Sequence, residues 1–303
     1  MGCSLWRLVA SLITLSAHSH LVAGDSLEER RPNILLVVAD DLGWADVPWR
    51  DPTVPAPNLQ RLAASGLVLN QSYVQQVCTP SRAALLTGLY PFHLGRQHRA
   101  LKPLRAGGVP TSFTLLPQLL KEANYSTHMI GKWHLGYCAW EYTPTRRGFD
   151  SFLGTYLGVL DHWSHTREKY DGYDFRRNEE VLFSASGVYS TELYTREAVS
   201  LLRARETSDQ PFFLYLPYQA LHAPLQVPSQ YLARVPPSVT DPDRRVYLAM
   251  LAALDLSVGQ IVETLKETGE YNNTLIVFTT DNGGSVGHSA SNFPLRSGSP
   301  NCT

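Results

Sequence analysis

The chain has 303 residues, of which 44% are hydrophobic and 17% are charged. This composition indicates a folded chain with a sizeable core, because disordered chains combine low hydrophobicity with high net charge. Its 26 basic and 27 acidic residues leave a net charge of −1. Such a balance gives no long-range attraction for nucleic acid. The sequence also has no basic run of the kind that binds a membrane surface. We therefore expect no nucleic-acid partner and no membrane span.

Residues 1–24 have the pattern of a secretory signal peptide. Arg7 precedes the apolar run of residues 8–17, and Ala23 and Gly24 are small residues suited to cleavage. The run is shorter than the roughly 18 residues that a membrane-spanning helix needs. The sequence therefore predicts entry into the secretory pathway, with a lysosomal or a secreted destination. Asn-x-Ser/Thr sequons suit a glycoprotein, and they begin at Asn70, Asn124, Asn272 and Asn301.

Hydrophobic patterning predicts alternating strands and helices along the chain. Apolar runs typical of buried strands span residues 33–39, 125–130, 212–216 and 275–279. Helices are predicted at residues 58–65, 80–88, 114–123, 191–205 and 243–268, with Asn58, Thr79 and Ser190 as candidate caps. Residues 161–188 are polar and aromatic, and are expected to form a long loop near a pocket mouth. The alternation favours an α/β fold with a mostly parallel central sheet flanked by helices.

Each of the four predicted strands is followed by polar residues that could do chemistry. They are Asp40 and Asp41, Lys132 and His134, His222, and Asp281 and Asn282. Ligands bind at the carboxyl ends of strands in open α/β sheets, so these residues could share one site. The alternative for any one of them is a solvated loop, which is polar without a function.

A subset of these residues offers only oxygen ligands: Asp40, Asp41, Asp281 and Asn282. Clustered carboxylates repel one another unless a cation lies between them. Oxygen ligands favour Ca²⁺ or Mg²⁺ over Zn²⁺. The alternative is that Asp41 caps a turn and that residues 281–284 form an ordinary turn. The occurrence of both pairs at strand ends favours a metal site.

Cys78 stands at the start of a predicted helix, where backbone N–H groups and the helix dipole attract anions. Arg82 follows one turn later. Reactive thiols prefer such electropositive places, but a buried inert cysteine is equally compatible with these residues. Removal of the signal peptide would remove Cys3 and leave Cys78, Cys138 and Cys302. The odd number indicates an unpaired or modified thiol.

Several segments resemble the sulfatase family, in matching order from about residue 32 to about residue 296. Residues 78–88 (CTPSRAALLTG) and 131–136 (GKWHLG) resemble its two signatures, and residues 40–44 (DDLGW) and 281–284 (DNGG) resemble its metal-binding segments. Residues 145–150 (TRRGFD) and 221–225 (LHAPL) resemble the arylsulfatase B (N-acetylgalactosamine-4-sulfatase) branch. The resemblance implies an alkaline-phosphatase-like α/β fold and hydrolysis of sulfated sugars or aryl sulfates.

The resemblance also implies a modified nucleophile. According to the resemblance, a formylglycine-generating enzyme of the endoplasmic reticulum oxidises Cys78 to an aldehyde, which hydrates to a geminal diol. One hydroxyl attacks sulfur and releases the alcohol; the other then loses a proton, so that sulfate is eliminated and the aldehyde returns. This modification would account for the odd number of cysteines.

Site roles follow from the same resemblance. One Ca²⁺ would be held by Asp40, Asp41, Asp281, Asn282 and the modified Cys78. Arg82 would steady the diol and the carboxylates, and Lys132 would bind a sulfate oxygen. His134 would contact the diol, and His222 would bind the sulfate or protonate the leaving oxygen.

The resemblance ends near residue 296. The family has a further active-site lysine shortly after a stretch like residues 292–296 (NFPLR), and residues 297–303 do not supply it. We expect a catalytic domain at residues 32–296, a divergent tail at 297–303 and no C-terminal subdomain. Alternatives are a catalytically impaired truncated form, and a phosphatase or phosphodiesterase of the same superfamily. Cysteine at position 78 favours sulfate, since serine or threonine would favour phosphate. The partner of Cys138 stays open.

Overall fold

Runs of branched and aromatic residues form the strands of a central sheet. The computed structural model describes residues 30–296, apart from residues 171, 206 and 207. The predicted signal peptide, Cys3, the sequon at Asn301, Cys302 and the tail lie outside the described residues. The described residues from Pro32 to Arg296 belong to one unit by their internal contacts.

The described strands are β1 (Asn33–Ala39), β2 (Ser126–Lys132), β3 (Ser151–Thr155), β4 (Thr166–Arg167), β5 (Gly172–Tyr173), β6 (Arg176–Arg177), β7 (Glu180–Val181), β8 (Phe212–Pro217) and β9 (Thr274–Thr280). The main sheet has the order β7-β6-β3-β2-β8-β1-β9, and β4 and β5 form a separate pair. Strands β1, β2, β3, β8 and β9 are parallel, whereas β6 and β7 are antiparallel to their neighbours. The predicted α/β class with a mostly parallel sheet is confirmed.

The α-helices are α1 (Pro57–Ser65), α2 (Cys78–Thr87), α3 (Leu116–Glu122), α4 (Ser190–Ala204), α5 (Ser229–Leu232) and α6 (Pro242–Glu267). Short 3₁₀ turns occur at Pro91–Leu94, Trp140–Tyr142, Pro144–Arg147, Glu168–Tyr170, Phe183–Ala185, Tyr271–Asn273 and Val286–His288. Helix α6 is long and apolar enough to cross a membrane, but 72% of its apolar window is buried inside the fold. It is therefore the central core helix of one face of the sheet.

Helices cover both faces of the sheet at β1, which is why this strand reads as a continuous apolar run. Leu35 and Val37 of β1 pack in one core with residues of α1, α4 and α6. Leu36 and Val38 point to the other face and pack with residues of α2 and α3. The two cores lie on either side of the sheet and fix β1 as an interior strand.

Strand β3 was not predicted, because its five residues include Gly154 and show no clear period. Gly154 has φ 148°, and a Cβ there would lie 2.0 Å from the carbonyl oxygen of Gly131 in β2. Glycine is therefore required for the close approach of the two strands. The region predicted as a long loop, residues 161–188, contains β4 to β7, which are too short to leave a pattern in the sequence.

The three predicted helix caps are wrong. Asn58, Thr79 and Ser190 each lie inside the first turn of their helix, and no side chain caps these helices. The amide of Asn58 instead donates to Asp255 at 2.6 Å. The hydroxyl of Thr79 donates to the carbonyl of His134 at 3.0 Å. Tertiary partners have displaced the local capping bond in these two cases.

Candidate active site

The carboxyl ends of β1 and β9 bring three acidic residues together. Ala39 of β1 lies opposite Thr280 of β9 in a parallel register, so Asp40 and Asp281 leave the sheet side by side. The carboxylate oxygens of Asp40, Asp41 and Asp281 lie within 4.8 Å of one another. All three residues are buried, with at most 4% of their surface exposed. The sequence prediction that these distant residues meet at one edge of the sheet agrees with this geometry.

Burial makes two of these carboxylic acids, Asp41 and Asp281, costly to ionise. It raises the pKa of Asp41, and the carboxylate of Asp281 adds to the rise. Burial also raises the pKa of Asp281, and the charge of Asp40 acts in the same direction. The amide nitrogen of Asn282 donates to Asp41, while its buried Oδ1 has no hydrogen-bond partner among the described residues. A group of buried oxygens with this surplus of acceptors fits a hard divalent cation.

Two buried cations from different elements compensate part of the negative charge. Arg82 in α2 donates through Nε to Asp281 at 2.9 Å, and its Nη2 lies 3.6 Å from a carboxylate oxygen of Asp40. Lys132, the last residue of β2, donates to Asp40 and lies 3.5 Å from the sulfur of Cys78. Burial alone would disfavour both charges, but the neighbouring carboxylates raise the pKa of Arg82 and of Lys132. Both side chains therefore stay charged beside Cys78.

Cys78 is the first residue of α2 and is fully buried. Its sulfur lies 3.8 Å from a carboxylate oxygen of Asp40. The ligand atoms of Asp40, Cys78 and His222 also lie within 4.8 Å of one another. Cys138, in contrast, is exposed and its sulfur accepts from the backbone N–H of Gly107. The thiol that sequence reasoning singled out is thus the one inside the cluster.

The two histidines have different partners beside the acidic cluster. Nε2 of His222 lies 3.9 Å from Asp41, and its Nδ1 hydrogen-bonds the carbonyl of Ala223 at 2.7 Å. The ring of His134 donates through Nε2 to the carbonyl of Leu101 at 2.9 Å. Burial lowers the pKa of His134 well below its usual value, so the ring is neutral. His134 therefore borders the site, whereas His222 faces the carboxylates directly.

Asn292 joins the two acidic segments and was missed by the sequence analysis. Its Oδ1 accepts from the backbone N–H of Trp44 at 3.3 Å and of Gly284 at 2.9 Å. Its Nδ2 donates to the carbonyl of Gly284 at 2.8 Å. One buried side chain thus links the segment after Asp41 to the segment after Asn282. The only sequence signal for Asn292 is that it lies in residues 292–296, a stretch that resembles the sulfatase family.

Two further residues hold backbone groups of the site. The hydroxyl of Tyr247 in α6 accepts from Gly43 at 3.2 Å and donates to the carbonyl of Asp41 at 3.1 Å. Nε2 of His162 hydrogen-bonds the carbonyl of His222 at 3.0 Å. Nothing in the sequence distinguishes Tyr247 from other apolar positions of its helix. The contact of His162 supports the expectation that the region after residue 160 lies near the pocket.

Comparison with known proteins identifies the family to which this constellation of residues belongs. The family model described as Sulfatase matches residues 32–301. The chain belongs to the sulfatase family. Mouse Arylsulfatase J is 38% identical over 94% of this chain and 51% of its own length. Mouse N-acetylgalactosamine-6-sulfatase is 34% identical over 91% of this chain and 54% of its own length.

Solved structures of sulfatases share the fold. The crystal structure of Ps i-CgsB in complex with k-i-k-neocarrahexaose superposes with a TM-score of 0.83, at 37% identity, over 89% of this chain and 62% of that one. The protein described here spans about half the length of the curated relatives that it matches. The family prediction is confirmed, whereas the finer resemblance to the arylsulfatase B branch is not.

Proposed function

We propose that this sulfatase hydrolyses sulfate esters with one Ca²⁺ and a formylglycine made from Cys78. The observation that supports the proposal most is the buried cluster in which Asp40, Asp41 and Asp281 meet beside the sulfur of Cys78. Family membership supports sulfate as the group transferred. Cysteine at position 78 favours sulfate over the phosphate esters of a related phosphatase or phosphodiesterase.

The chain's own residues suit this cation. Asp40, Asp41, Asp281 and Asn282, together with residue 78, would hold it, and the unpartnered Oδ1 of Asn282 supplies a ligand that is otherwise unsatisfied. When bound, the cation would offset charge on a sulfate group and lower the pKa of a nearby hydroxyl. The hydrated aldehyde at residue 78 would supply the nucleophilic hydroxyl.

The other buried groups orient the ester and move protons. Lys132 would bind a sulfate oxygen, which its ammonium supports by lying 3.5 Å from the sulfur of Cys78. Arg82 holds Asp281 and steadies the ligand carboxylates. His222, with Nε2 3.9 Å from Asp41, would bind sulfate or protonate the leaving oxygen, and neutral His134 would contact the diol. Low exposure of all these groups strengthens their electrostatic effect on a bound anion.

Replacement of the nucleophile tests the proposal. The full chain, made in a secretory host with a formylglycine-generating enzyme, should release sulfate from a small aryl sulfate. Cys78→Ala should abolish turnover, whereas Cys138→Ala, the matched control, should retain it because Cys138 is exposed. Mass spectrometry of the peptide around residue 78 should show the aldehyde. A folded chain that carries the aldehyde and releases no sulfate would support the impaired form instead.

Removal of the cation provides an independent test. Chelation should stop sulfate release, and Ca²⁺ should restore it. Asp281→Asn should weaken this recovery, because it removes one charge from the ligand set. An aryl phosphate, assayed in parallel, should be a much poorer substrate. Faster release of phosphate than of sulfate would favour the phosphatase alternative.

Substrate and location form part of the same proposal. The names of relatives, N-acetylgalactosamine-6-sulfatase among them, support a sulfated sugar as the substrate. The predicted signal peptide supports maturation in the secretory pathway, with a lysosomal or a secreted destination, and the quoted motifs support an arylsulfatase B-like specificity. Immunolocalisation and sulfate release from defined sugars test these points.

A further inference from the structure

A loop rich in basic residues lies beside the candidate active site. No Asp or Glu occurs between Asp51 and Glu122, although this stretch has seven Lys and Arg residues in a chain of net charge −1. Five basic residues fall within residues 96–105, which we name the basic loop. They are Arg96, His98, Arg99, Lys102 and Arg105, and all except Arg96 are exposed. The local field at this loop is therefore positive on an otherwise nearly neutral chain.

The middle of the basic loop is attached to the site itself. The backbone N–H of Leu101 donates to Oγ1 of Thr79 at 3.0 Å, and its carbonyl accepts from His134 at 2.9 Å. Thr79 directly follows Cys78, and Lys102 directly follows Leu101. Since consecutive Cα atoms are about 3.8 Å apart, these bonds keep Lys102 close to the residues around position 78. The basic loop therefore belongs to the rim of the site.

The exposed cations of the basic loop are available to a ligand. Some exposed cations elsewhere on the surface form ion pairs, as Lys121 does with Asp150 at 2.6 Å. Within the described part of the chain, no carboxylate forms an ion pair with Arg99, Lys102 or Arg105. In the proposed function, the sulfate of a small monosulfate is bound inside the site by Lys132 and His222. The charges on the rim therefore exceed what a single sulfate group needs.

We infer that the basic loop binds anionic groups on the sugar units next to the one whose sulfate ester enters the site. The substrate class is then a polyanionic oligosaccharide, with sulfate or carboxylate groups on neighbouring sugars. This inference rests on the proposed function, because the buried site defines where the cleaved ester lies. Charge complementarity of this kind increases affinity and association rate, and it weakens as salt screens the charges.

A double variant, Arg99→Ala with Lys102→Ala, tests the inference on the full chain. Its binding to a chondroitin sulfate tetrasaccharide, measured by calorimetry without turnover, should weaken about fivefold to tenfold at low salt. The matched control is Arg203→Ala with Lys266→Ala, which removes two exposed cations from the last turns of α4 and α6. These turns precede β8 and β9 and so lie at the opposite edge of the sheet. The control should bind as tightly as the parent chain.

Kinetics separate the inference from the proposed function. Both double variants should keep the parent kcat and KM on a small aryl sulfate, and the loop variant alone should raise KM for the tetrasaccharide. Loop-dependent binding without any sulfate release would refute the proposed function and leave the loop inference intact. Equal tetrasaccharide affinity in the loop variant and the parent would overturn the inference. Equally tight, loop-dependent binding of a DNA oligonucleotide of the same charge would also overturn it.

Discussion

Replacement of Asn292 by alanine tests how the two acidic segments are held together. The change removes three hydrogen bonds, to the backbone N–H of Trp44 and to the N–H and carbonyl of Gly284. A net loss of about 1 kcal/mol for each buried bond gives about 2 to 3 kcal/mol of unfolding free energy. The bond at 3.3 Å contributes least, which favours the lower end of this range.

The same change should weaken cation binding, because the ligands Asp41 and Asn282 lie on the two segments that Asn292 joins. If about half of the lost free energy appears as weaker Ca²⁺ binding, the Ca²⁺ affinity drops about tenfold, since each 1.4 kcal/mol is a factor of ten. Urea unfolding at several Ca²⁺ concentrations measures both quantities on one protein. This readout does not depend on turnover.

Asn33→Ala is the matched control. Asn33 is also buried, donates to Glu270 at 2.6 Å and accepts from the backbone N–H of Phe212 at 3.1 Å, but it lies at the amino end of β1, away from the site. It should lose comparable stability and keep its Ca²⁺ affinity. An Asn292→Ala protein that is destabilised as expected but binds Ca²⁺ like the parent would refute the role given to Asn292.

Two further predictions concern the fold around the site. Gly131→Ala should cost more than about 3 kcal/mol and reduce secretion, because its φ is 133° and a Cβ would lie 2.0 Å from the carbonyl oxygen of Pro217. Denaturation midpoints should show this loss. Gly172→Ala should be nearly neutral, because a Cβ there would make only an ordinary contact, 3.8 Å from the carbonyl oxygen of Tyr170. Burial lowers the pKa of His162 to about 4. Its contribution to stability is therefore complete above the unfolded pKa of about 6.5 and is lost as the pH falls toward 4, by about 2 kcal/mol between pH 8 and pH 5. His162→Gln should flatten the pH dependence of unfolding by that amount, and an unchanged slope would contradict the assignment.

Long apolar strands and the residues directly after them could be predicted from the sequence. The runs that became β1 and β9 predicted parallel strands, and parallel strands present their carboxyl ends at one edge. Asp40 and Asp281 were therefore expected to meet, although about 240 residues separate them. Short strands such as β6 and β7 left no signal, because two residues cannot show a period.

Residues that act through backbone groups elsewhere in the chain could not be predicted. Asn292 and Tyr247 bond to Trp44, Gly284, Gly43 and Asp41, and no local pattern encodes which remote N–H or carbonyl a side chain will reach. The failed caps have the same cause. Thr79 has the chemistry of a cap, but its hydroxyl finds the carbonyl of His134 and the N–H of Leu101 in the folded chain.

The sequence by itself determined the kinds of groups available, namely carboxylates, one amide, a thiol at a helix start and several cations, and it determined the strands that carry them. Only the tertiary structure decided that β1 lies between β8 and β9, which places Asp40 beside Asp281 and turns Lys132, Arg82 and His222 toward Cys78. The physical reason is that the order of the strands depends on how helices cover the two apolar faces of the sheet. That is a property of the whole packed chain, because no single segment can bury its own faces.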